Sequence, residues 1–101
     1  MKIIMVCGGY KYKKEMTEIT EKMALKGNCM LTPIELTKHD KEAYTEDEIL
    51  TLGKMHKEKI KLSDTILVVN VNGYIGSATR SEVEYAKSLN KEIMYYTDLI
   101  K

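Results

Sequence analysis

Tryptophan and phenylalanine are absent from this 101-residue sequence, proline occurs once and cysteine twice. With two cysteines, at positions 7 and 29 in separate apolar runs, there is no disulfide framework to staple a secreted scaffold. They read as two buried free thiols. Their spacing to His39 and His56 matches no zinc pattern, so no metal ligand is expected. A charge excess is also missing: 16 basic residues face 15 acidic ones, for a net charge of +1. That balance argues against a general nucleic-acid or membrane surface. No apolar run approaches the roughly 20 residues a bilayer span requires. The opening Met1–Cys7 is too short for a signal segment and runs directly into Gly8-Gly9, so a cytoplasmic protein is expected. Repeats, low-complexity tracts and linkers are lacking as well. The expectation is one domain spanning residues 1–101. A chain this small buries only roughly 65% of the surface it exposes when unfolded, which favours further burial in a homo-oligomer.

What is present alternates in period. Residues 2–7 form a continuous apolar run, as in a strand buried on both faces. Residues 11–26 carry Met16, Ile19 and Met23 on one helical stripe, ended by Gly27-Asn28. Residues 29–32 read as a short strand stopped by Pro33, and the polar stretch from Glu35 to Tyr44 as a loop. Thr45 with Glu48 has the form of a capping box and opens a helix to about Leu62, with Ile49, Leu52, His56 and Ile60 on one face. Residues 65–71 are the strongest strand signal in the chain. A helix from about Thr79 to Leu89 and a strand at residues 93–96 complete the series.

Strand–helix–strand alternation implies right-handed crossovers and a parallel sheet. The expected fold is α/β, a flavodoxin-like three-layer sandwich whose short parallel sheet has the order 2-1-3-4 and helices on both faces. In such sheets a ligand sits beyond the carboxyl ends of the strands where the strand order reverses, here between the first and third strands. That rule directs attention to two loops, Cys7–Tyr12 and Asn70–Thr79.

In the first loop, Gly8 and Gly9 remove side chains where a helix begins, leaving backbone N–H groups free to meet an anion. Lys11, Lys13 and Lys14 add positive charge beside them; a tight turn with solvated lysines is the plain alternative. Neither a Walker sequence nor a dinucleotide G-x-G-x-x-G is present. There is no phosphate-binding Ser/Thr loop for a flavin and no acidic cluster for a phosphoacceptor, and no cofactor is expected. The second loop begins at Asn70 and ends in Gly76-Ser77-Ala78-Thr79, where hydroxyls lie next to helix N–H groups able to hold a phosphate or ribose. Glu82 has two readings. Thr79-x-x-Glu82 is itself a capping box, and the same placement would keep a catalytic carboxylate ionised. Tyr10, Tyr12 and Tyr74 flank the loops and either stack on a base or pack on the surface.

Three stretches give the chain a resemblance to the nucleoside 2-deoxyribosyltransferase superfamily, which includes the 2′-deoxynucleoside 5′-phosphate N-hydrolases. They are the strand ending Cys7-Gly8-Gly9, the run Ser63-Asp64-Thr65-Ile66-Leu67-Val68-Val69, and Ala78-Thr79-Arg80-Ser81-Glu82-Val83-Glu84-Tyr85-Ala86. The last is similar to the family's Gly-Thr-x-x-Glu-hydrophobic-Gly-Tyr-Ala. The resemblance implies that Glu82 is a nucleophile attacking the anomeric carbon of a (deoxy)ribosyl group, with retention and an oxocarbenium-like transition state. It implies that His56, eight residues before Asp64, stands where the family has an Asp that assists the leaving base. A histidine suits a general acid, though His56 also belongs to an apolar stripe. Ala78 replaces a family Gly, and Met5 occupies the place of a tyrosine that orients the nucleophile. The segments that seal the substrate in larger members are missing, so a partner subunit is expected to close the site in a dimer or higher assembly.

The expected ligand is therefore a nucleotide or nucleoside. Glu82 and His56 are its catalytic candidates, and Gly8, Gly9, Tyr10, Lys11, Asn70, Gly76, Ser77 and Thr79 its binding candidates. The competing expectation is a catalytically inactive nucleotide-binding module of the same fold.

Overall fold

Four short apolar runs separated by three amphipathic helices become a parallel sheet with helices on both sides in the computed structural model, which describes residues 1–38 and 40–100. His39, considered above as a zinc ligand, lies outside the described residues. The elements are β1 (Ile3–Cys7), α1 (Lys13–Leu25), β2 (Cys29–Leu31), α2 (Glu46–Leu62), β3 (Thr65–Val68), α3 (Ser77–Ser88), β4 (Glu92–Tyr95) and a final turn of helix, α4 (Tyr96–Leu99). All strand pairings are parallel and the order is β2-β1-β3-β4, as the alternation of elements predicts. Among the described residues no helix is long and apolar enough to cross a membrane.

Alternation along the central strands divides the core in two. Met5 and Cys7 of β1, with Ile66 and Val68 of β3, meet Ile60 of α2 and Val83 and Ala86 of α3 on one face. Ile4, Val6, Leu67 and Val69 meet Ile19 and Met23 of α1 on the other, with Tyr96 and Leu99 of α4 packed alongside. At the amino ends of the strands, Asp64 closes the sheet. Its N–H donates to the Ile3 carbonyl and its carboxylate accepts from the Ile3 N–H, each at 2.8 Å. The Thr45–Glu48 capping box is fully formed at the start of α2.

Four local expectations are corrected. β3 stops at Val68, not residue 71, because β1 and β4 end at the same level; beyond it the chain curls into a 3-10 turn at Val71–Gly73 with Asn72 at φ 56°. α3 starts at Ser77, two residues before Thr79, with Gly76 as an extended N-cap. Tyr96 leaves the last strand to open α4. Cys29 is exposed, because β2 is an edge strand, while Cys7 is buried; both are free thiols.

Candidate functional site

A cleft of about 650 Å³ lies at the carboxyl ends of β1 and β3, where the strand order reverses. The turn after β1 and the start of α3 form its two sides. Of the candidates named from the sequence, Gly8, Gly9, Tyr10, Lys11, His56, Gly76, Ser77, Thr79 and Glu82 all line it. Asn70 does not. Its buried side chain turns to the C-terminal helix, donating to Thr97 Oγ1 and accepting from the Thr97 N–H, both at 3.2 Å.

Each wall has a local cause. Gly8 is needed for packing: a Cβ there would come within 3.2 Å of both Met16 Sδ and Val69 Cβ. The chain then makes a 3-10 turn, Tyr10–Tyr12, before α1. This turn sets Lys11 over the rings of Tyr74 and Tyr12, 4.3 and 5.1 Å from their centroids, and the two rings are 6.2 Å apart. A cation on aromatic faces is attracted by the ring quadrupole. Lys11 thus bridges the two loops. Lys13 points elsewhere and pairs with Glu35. On the opposite side, no side chain caps α3, and Gly76, Ser77, Ala78 and Thr79 at its start line the cleft.

The Thr79–Glu82 capping box does not form. With the helix beginning at Ser77, Glu82 lies in the second turn, and its carboxylate reaches across to α2, where His56 Nε2 meets Oε2. α2 runs back along the sheet from its last residue, Leu62, so His56 is raised roughly 9 Å toward the strands' carboxyl ends. Both side chains are about one-fifth exposed, at 19% and 20%. Beneath them is the Cys7 thiol, fully buried and 3.8 Å from the same imidazole nitrogen. Burial, and secondarily the Glu82 carboxylate, push the Cys7 thiol far above the ordinary thiol range, so it is a protonated thiol. Its other polar neighbour is the Met5 carbonyl oxygen, at 4.0 Å. The Met5 side chain itself is buried in the core and does not line the cleft.

Sequence reasoning puts Cys7 at the edge of the first loop but gives it no role there beyond that of a buried free thiol. The signal available was its position as the last residue of the central strand, one step before the glycine turn. Pro33, Val69, Tyr74 and Ile75 also line the cleft; Tyr74 and Ile75 fall within the second loop, Pro33 and Val69 outside both.

No family model matches the sequence, and no curated protein shows a significant match. The fold is similar to that of a solved 2-desoxiribosyltransferase from Leishmania mexicana, with a TM-score of 0.68 at 17% sequence identity. The likeness covers 94% of this chain and 63% of that one. It shows that the chain has the fold of a deoxyribosyltransferase and spans less than two-thirds of that protein's length.

Proposed function

We propose that the protein cleaves or exchanges the N-glycosidic bond of a nucleotide or nucleoside in the cytoplasm, with Glu82 as nucleophile. The observation that carries the reading is the contact of Glu82 with His56 in the cleft at the switch point. A carboxylate and an imidazole held together can supply the nucleophile and the proton that glycoside cleavage needs. The likeness to a 2-desoxiribosyltransferase supports the same substrate class.

In this reading Glu82 Oε1 attacks the anomeric carbon while the bond from that carbon to the base nitrogen breaks. His56 holds Oε2 and orients the attack. As the carboxylate becomes an ester its charge disappears, the imidazole loses its anionic partner, and its proton goes to the departing base nitrogen. In the second half, His56 takes a proton from water or from an incoming base, whose lone pair attacks the anomeric carbon and frees Glu82. A 5′-phosphate fits the uncapped start of α3, with the Ser77 and Thr79 hydroxyls beside it and Lys11 above. The rings of Tyr12 and Tyr74 offer faces for the base. Closure of the open cleft by a second copy of the chain belongs to this reading, and light scattering should give a dimer or larger.

The test is incubation with a panel of deoxynucleosides and their monophosphates, with free base measured. Wild type should release base, and Glu82→Ala should be slower by roughly 10³-fold or more. His56→Ala should be slower by about 10²–10⁴-fold, the usual worth of acid–base assistance. No release by wild type, or equal release by Glu82→Ala, overturns the reading. Met5, buried in the core with a thioether that cannot orient a carboxylate, favours one alternative, an inactive nucleotide-binding module. Binding measured by calorimetry with no turnover would select it.

A further inference from the structure

Cys7, His56 and Glu82 come from three different elements, yet one donor atom of each lies within 4.8 Å of the others. We propose that these three side chains form a binding site for a thiophilic divalent metal such as Zn²⁺, open to the cleft on its fourth side.

The geometry fits first. Ligands at tetrahedral Zn²⁺ distances, with sulfur near 2.3 Å and nitrogen near 2.0–2.1 Å, are separated from each other by roughly 3.5 Å. Cys7 Sγ and His56 Nε2 are 3.8 Å apart, and His56 Nε2 already touches Glu82. The thiol and the imidazole are already near that separation, while His56 and Glu82, now in contact, must part by roughly 1 Å to admit the ion between them. The donor set fits next. One sulfur, one imidazole nitrogen and one carboxylate oxygen suit Zn²⁺ or Co²⁺, whereas Mg²⁺ and Ca²⁺ call for oxygen throughout. Three protein ligands with an open position are the pattern of a site that also takes water or a substrate. The partial exposure of His56 and Glu82 gives that position to the cleft.

Hydrogen bonding without a metal is unbalanced. His56 Nε2 faces both the thiol and the carboxylate. Protonated, it donates to Glu82 and leaves the thiol proton only the Met5 carbonyl oxygen, at a long 4.0 Å. Unprotonated, it can accept from the thiol and leaves the carboxylate without a donor. A dication satisfies all three donors at once. On ligation Cys7 releases its thiol proton to solvent, and the resulting thiolate is paired with positive charge instead of standing beside Glu82. Cys7 is also rigidly placed, fully buried at the end of the central strand.

The proposal does not depend on the glycosidic reading. If both hold, the metal occupies the nucleophile, and Zn²⁺ inhibits base release.

The test uses the metal alone. Chelator-treated protein is titrated with Co²⁺ and followed by absorption. One equivalent should produce a thiolate-to-cobalt charge-transfer band with intense visible bands of a four-coordinate ion, and Zn²⁺ should displace it. The band should persist in Cys29→Ser and vanish in Cys7→Ser. His56→Ala, which alters a partly exposed residue and spares the core, should weaken binding at least tenfold if Cys7→Ser does not fold. Absence of a charge-transfer band, survival of the band in Cys7→Ser, or unchanged affinity in His56→Ala overturns the proposal. A cobalt band without base release from metal-free protein leaves this site standing and the glycosidic reading fallen; base release without the band does the reverse.

Discussion

Asn70 separates ligand binding from architecture. Its amide makes two hydrogen bonds to Thr97 and its side chain is buried, so Asn70→Ala removes both and strands the Thr97 N–H. Two net hydrogen bonds are worth about 0.5–1.5 kcal/mol each, and the half-buried Thr97 N–H left without its acceptor adds to that. α4 lies near the end of the described chain and can detach while the sheet stays intact, which caps the loss. The expected destabilisation is about 1.5–3 kcal/mol, and at about 4–8 °C per kcal/mol for a domain of this size the midpoint falls by roughly 6–24 °C. Asn70→Asp keeps an acceptor for the Thr97 N–H and should lose less. Thermal unfolding by circular dichroism measures the first effect. Amide hydrogen exchange at Thr97 measures the second, and should quicken in the alanine variant ahead of the strands. Nucleotide affinity at a temperature where the variant is folded should change by less than twofold. A variant as stable as wild type, or one that keeps its stability and loses ligand binding, refutes the reasoning and returns Asn70 to the cleft.

Gly8→Ala should cost about 1–3 kcal/mol in thermal unfolding, since Val69 Cβ, 3.2 Å from the new methyl, is fixed by its backbone. Gly53→Ala, in mid-helix with nothing within 4 Å of the new methyl, should raise stability by about 0.5–1 kcal/mol. In metal-free native protein iodoacetamide should label Cys29 and spare the buried Cys7, and in denaturant both; mass spectrometry counts the adducts.

The sheet order and the location of the cleft were legible because both follow from the sequence of periods: apolar runs and amphipathic stripes in strict alternation leave one parallel topology and one switch point. The boundaries that failed share a cause. The apolar run at residues 65–71 carries no mark of where its neighbours end, so the strand was read past Val68. Thr79-x-x-Glu82 fits a helix start by local rules, but the helix begins two residues earlier at Ser77, and the carboxylate meets His56, 26 residues earlier in the chain. Cys29 sat in an apolar run like that of Cys7, yet one belongs to an edge strand and the other to a central one. The cluster of Cys7, His56 and Glu82 had no spacing signature at all, because its members are joined by tertiary packing alone.

The sorting of β1 side chains by odd and even position has a consequence for evolution of the chain. Met5 and Cys7 look toward α2 and α3, while Ile4 and Val6 look toward α1. Inserting or deleting one residue upstream of Gly8 within that strand would exchange the two sets, sending the thiol to the helix that holds neither His56 nor Glu82. The same parity therefore guards the hydrophobic interior and the reactive cluster, and single-residue length changes in β1 should be far rarer in functional variants than substitutions at its individual positions.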